Sequence, residues 1–144
     1  MTVFELSNLL VLPFWVLMVL APTWGMTRRI MASPWVAAPP AFLYLITLLP
    51  VATMILPEVV NPVQARIMSL LGTPTGTTLA WTHFVAFDLF VGRWIHCDSR
   101  SRSYSVWWVS PVLVLTLLVG PVGLLIYLAA RSVIGGANVA SDPA

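Results

Sequence analysis

Three ionisable side chains, His83, Asp88 and Arg93, lie inside one apolar run, residues 81–98, which reads WTHFVAFDLFVGRWIHCD. The run is long enough to cross a bilayer. A charged side chain at membrane depth costs at least ~2.5–3.5 kcal/mol on insertion scales, so each of the three is a candidate for function. An imidazole and a carboxyl can move protons between substrate atoms, and a guanidinium can steady an oxyanion. The competing reading is a structural network in which the three only pair across helices. An isolated carboxyl near mid-span is expected to be a neutral acid, unless Asp88 pairs with Arg93, His83 or a second copy of the chain.

The helical period spreads these groups. Asp88 falls ~140° around the helix from His83, and Arg93 a further ~140°. All three cannot enter one narrow groove on a straight helix, so protein or a cavity must surround this helix on most sides. His83, Phe87, Phe90 and Trp94 share one stripe, and Trp81, Phe84, Asp88, Gly92 and Ile95 share another. Such aromatic stripes pack against lipid or a neighbouring helix, or else line a slot for a long, flat apolar ligand. Arg93 is close enough to a membrane end for its guanidinium to reach headgroups, or to pair with Asp98.

Other chemistries lack their residues. His83 has no second histidine one turn on, and the adjacent His96, Cys97 and Asp98 cannot converge on one ion, so no metal site is expected. Neither a glycine-rich phosphate loop nor a serine-nucleophile motif is present, and no cofactor is implied. A single cysteine excludes an internal disulfide.

The elements that must position the run are hydrophobic too. The chain is 59% hydrophobic and only 8% charged, against about 25% charged in a soluble domain, so it reads as one membrane domain. A net charge of +2 without a basic, aromatic-interleaved stretch argues against nucleic acid. Apolar runs cover residues 4–21, 36–56, 78–95 and 112–130, giving four predicted transmembrane helices in an all-α, polytopic domain over residues 1–134. Residues 135–144 read as a flexible tail. Between the second and third runs, residues 63–71 carry Val63, Ile67, Leu70 and Leu71 at helical spacing, which predicts a short interfacial helix. Pro13, Pro50 and Pro121 interrupt every run except the one that carries the ionisable groups. No cleavable signal is recognisable at the N-terminus. Four spans put both termini on one side, with Arg28, Arg29, Arg100 and Arg102 on the other. The positive-inside rule then predicts those arginines in the cytoplasm and both termini outside it.

The pattern W-x-H-x-x-x-x-D-L-F-x-x-R-W-x-x-x-D, here Trp81, His83, Asp88, Leu89, Phe90, Arg93, Trp94 and Asp98, resembles the abscisic-acid-deficient-four-like family. The segment Gly120-Pro121-x-Gly123-Leu124-Leu125 is similar to that family's final helix. In plants the family includes the chloroplast membrane protein that acts as neoxanthin synthase. The short chain, without a plastid transit peptide, looks like a bacterial member, which implies a bacterial inner membrane with both termini periplasmic. The resemblance implies a carotenoid or related isoprenoid as partner, beside membrane lipids. It also implies isomerisation of an epoxy end group to an allenic alcohol, which needs one proton delivered and one removed. Asp88 and His83 are then the catalytic candidates, with Arg93 as oxyanion or structural partner. Trp81, Phe84, Phe87, Phe90, Trp94 and Asp98 are the candidates for substrate contact. A non-catalytic pigment-binding or scaffold subunit of a membrane complex, or a homo-oligomer, is the reading of a different class that these residues leave open.

Overall fold

A 28-residue helix, α6 (Pro74–Ser101), forms the axis against which most of the other helices pack. In a computed structural model describing the backbone of residues 1–140 and side chains through Ile134, six further α-helices surround it. These are α1 (Val3–Leu20), α2 (Gly25–Ala32), α3 (Ala38–Leu48), α4 (Ala52–Val60), α5 (Gln64–Leu71) and α7 (Val106–Ala140). Among the described residues all regular structure is helical. Three segments are long and apolar enough to cross a membrane: Val3–Leu20, Pro34–Val60 and Val106–Ile134. The α6 helix is long enough as well, but its charged residues set it apart.

Local chemistry sets the helix ends. Thr2 accepts from the Glu5 N–H at 3.2 Å while the Glu5 carboxylate accepts from the Thr2 N–H at 2.8 Å, a capping box that starts α1. Thr73 caps α6, its hydroxyl accepting from the Gly76 N–H at 3.0 Å, and Pro74 sits in the first turn, where its missing N–H costs nothing. Pro50 turns residues Leu49–Val51 into a short 3-10 stretch between α3 and α4. The helix expected at residues 63–71 is present as α5, and its Arg66 pairs with Glu58 at 3.1 Å. The sequence pattern gives no warning of α2, which buries Thr27 and Met31.

The helix α1 runs parallel to α6. Phe4 packs on Trp81, with ring centroids 5.2 Å apart, and farther along Trp15 lies against Gly92, where even a methyl group would fall 2.3 Å from the indole. Trp15, Met18, Leu89, Ile95, Leu113 and Tyr127 make the center of the buried core.

The fourth apolar run departs from expectation. Val119 has φ −143° and ψ 61°, far from helical values, and there α7 folds back on itself. On a straight helix Trp108 and Tyr127 would stand about 28 Å apart, yet their rings stack with centroids 5.8 Å apart. A methyl group on Gly123 would fall 2.5 Å from the backbone nitrogen of Thr116, so the two limbs touch backbone to backbone. The first limb, residues 106–118, is about 20 Å long, short of the ~30 Å hydrocarbon core. This run is a helical hairpin rather than one straight helix.

The fold-back also separates the two described ends of the chain along α6. Phe4 lies at the Trp81 end of α6, whereas Arg131 pairs with Asp98 at the other end, about 25 Å away along the helix. The two described ends of the chain therefore lie at opposite ends of α6. The expected tail begins inside α7, which continues to Ala140; its last residues, 141–144, lie outside the described residues.

Candidate functional site

The hairpin tip meets α6 at Asp88. Gly120, the first residue beyond the break, is so close that a methyl group there would fall 2.1 Å from one Asp88 carboxylate oxygen. Pro121 follows in the first turn of the second limb, a position that suits proline. The positive end of that limb's helix dipole thus faces the carboxyl. Among the described residues, no side chain or backbone group forms a hydrogen bond with Asp88.

Around this contact lies a groove of about 540 Å³, lined by His83, Phe84, Phe87, Asp88, Val91, Gly120, Pro121 and Leu124. The volume falls within the range of small-molecule sites. His83 and Asp88 stand on its two edges, with Phe84, Phe87 and Val91 between them on α6. The ~140° separation derived from helical periodicity is the width of this groove. It is broad enough to take both groups, although not Arg93. Phe84 and Phe87 are 55% and 60% exposed, so the groove opens towards the lipid-facing side.

The His83 ring stacks on Phe87, centroids 4.6 Å apart, and meets Tyr44 edge-on at 5.6 Å. It also lines a neighbouring apolar groove of about 280 Å³ with Tyr44, Ile55, Leu70 and Leu79. Aromatic walls fix the imidazole plane without occupying it by a hydrogen bond to any described residue.

The other candidates divide. Arg93 points to a different face, donating from Nε to the Ser33 carbonyl at 3.0 Å and from a terminal nitrogen to the Ala32 carbonyl at 2.9 Å. It satisfies acceptors left free at the end of α2. Of the roles open to Arg93, this is the geometry of the structural partner. Phe90 and Phe87 line a smaller apolar groove, about 250 Å³, with Ala37, Ala41 and Ala86. Trp81 stands apart, its indole N–H donating to the Asn8 side-chain oxygen at 3.0 Å.

Asp98 and Trp94 belong to a separate cluster. The Asp98 carboxylate accepts from the Tyr127 hydroxyl at 2.6 Å and from Arg102 Nε at 3.0 and 3.1 Å, and it pairs with Arg131 Nε at 3.0 Å. Trp94 meets the Tyr127 ring edge-on, and the Arg131 guanidinium lies 5.8 Å from its ring centroid. This cluster clamps the hairpin's returning limb to α6. The local Arg93–Asp98 pair considered from the sequence is not formed; Arg102 and Arg131 hold Asp98 instead.

Gly120, Pro121, Val91 and Leu124 line the groove without having been recognisable as site residues. Their signal was the Gly-Pro pair, which sequence reasoning takes as an interruption within one span. Among the described residues no cluster of histidine, cysteine and acidic side chains is placed to hold a metal ion.

Comparison with known proteins matches residues 2–127 to the family described as ABA DEFICIENT 4-like. No curated protein and no solved structure matches the chain.

Proposed function

Because the chain belongs to the ABA DEFICIENT 4-like family, we propose that it takes an epoxidised carotenoid, or a related isoprenoid, into the groove between α6 and the hairpin tip and isomerises its end group. The observation that carries this reading is the placing of one imidazole and one carboxyl, His83 and Asp88, on opposite edges of a single aromatic-walled groove. Phe84 and Phe87 supply flat apolar faces for the polyene.

The chemistry balances with these two groups. Asp88 delivers a proton to the epoxide oxygen as its C–O bond breaks, leaving a hydroxyl. His83 takes a proton from the neighbouring polyene carbon, and the freed electron pair completes the allene. The imidazolium then returns its proton to the carboxylate, directly or through water, and both groups are reset. The helix N-terminus beside Asp88 favours the negative charge left there in between. Arg93 has no part in this sequence and acts by holding α2.

The arginines give the orientation that fits this reading. Arg28, Arg29, Arg100, Arg102 and Arg131 gather at the Asp98 end of α6, and Arg66 lies towards the other. With the hairpin folded, the imbalance between the ends is larger than four crossings implied. The Asp98 end is then cytoplasmic and the N-terminal end faces the other side.

Protein purified from its native membrane is expected to carry a polyene that absorbs in the visible range. A Phe84→Ala, Phe87→Ala double variant is expected to lose most of it, since each aromatic contributes roughly 0.5–1.5 kcal/mol beyond its area burial. Colourless wild-type protein that also fails to take up added carotenoid would defeat the proposal.

A further inference from the structure

At the Asp98 end, on a face separate from the groove, a second cavity of about 550 Å³ is lined by Thr23, Arg28, Arg100, Ser101 and Ser103. Its lining residues are two arginines and three hydroxyl-bearing residues, with no acidic residue among them. The turn after α6 builds one wall: Ser103 adopts φ 55°, and Arg100 folds back so that a terminal nitrogen donates to the Tyr104 carbonyl. That leaves the Arg100 Nε buried and without an acceptor. The ion pairs formed among the described residues are Arg66–Glu58, Arg102–Asp98 and Arg131–Asp98, and none involves Arg28 or Arg100.

Arg28 and Arg100 thus bring two positive charges to this cavity, with no carboxylate among the described residues paired to either. Trp24 and Trp107, 55% and 87% exposed, flank the same pair of turns, as befits aromatic rings at headgroup depth. We infer that this cavity binds a phosphate group, held between Arg28 and Arg100 with the Thr23 and Ser103 hydroxyls as further donors, and that its source is the headgroup of an anionic phospholipid. Guanidinium geometry suits phosphate oxygens. A lipid held here would tie the α1–α2 turn to the α6–α7 turn, the two connections at this end.

The test uses the full-length protein in detergent, with native mass spectrometry reading retained lipid. Added phosphatidylglycerol is expected to be retained and diacylglycerol, which lacks the phosphate, is not. The Arg28 side chain is exposed and forms no described hydrogen bond, so Arg28→Gln leaves the fold alone and is expected to cut phosphatidylglycerol retention about tenfold, the size of one charge-assisted hydrogen bond. Arg29→Gln, on the same helix but outside the cavity, is expected to leave retention unchanged. Displacement of the lipid by millimolar inorganic phosphate would keep the phosphate site but make its source soluble. Retention against phosphate supports the lipid source. Equal losses in the two arginine variants, or equal retention of diacylglycerol, would overturn the inference.

Discussion

Asp88→Asn is expected to insert, purify and still bind a polyene, while its epoxide turnover falls by about 10²–10⁴-fold, the usual worth of general acid–base catalysis. The amide keeps the size and polarity of the carboxyl, so it fits against Gly120 as Asp88 does. What it lacks is a proton to give at accessible pH. The structural reading of Asp88 makes the opposite demand. Membrane hydrogen bonds are worth ~0.6 kcal/mol on average, so a carboxyl used only for packing would tolerate Asn with little change in turnover. His83→Gln, run beside it, tests the proposed base by the same logic. Failure of Asp88→Asn to accumulate would instead mark the Asp88 charge as one that the folded protein needs.

Gly123→Val is expected to abolish accumulation of folded protein. The first atom of any side chain there would fall 2.5 Å from the Thr116 nitrogen and 2.6 Å from its Cα. Those are backbone atoms in the facing limb, and they cannot move aside as the tip of a flexible side chain can. Overpacking commonly costs about 1–3 kcal/mol, and the branched valine at a backbone contact belongs at the upper end or beyond. A straight fourth helix would place these two residues about 10 Å apart, and valine would then be harmless. Reporter fusions read the same feature independently. A fusion after Ala140 is expected on the same side as one after Ser101, whereas a straight crossing would put them on opposite sides.

Composition and periodicity made the membrane class and the helical content legible, because both depend on local pattern, whereas His83 and Asp88 were joined as a pair only through the family resemblance. The hairpin was not legible, because hydropathy records how apolar a run is and not its direction. Pro50 and Pro121 look alike in the sequence, yet one gives a short 3-10 stretch and the other follows a full reversal. The difference is tertiary: Tyr127 and Arg131 find Asp98 only if the chain turns back, and Gly120 and Gly123 permit the turn. The same pairing explains why Asp98, read as a substrate contact, lies in an ion cluster. Arg93 was ambiguous for a related reason, since its acceptors sit on α2, a helix with no apolar run to announce it.

The most direct test of the His83–Asp88 groove is turnover of a 5,6-epoxy carotenoid by the purified wild-type protein, followed by chromatography and mass spectrometry. The account expects an allenic alcohol of unchanged mass to form without any added redox partner. Recovery of the bound epoxide unaltered would contradict it and leave the groove a pigment-binding site alone.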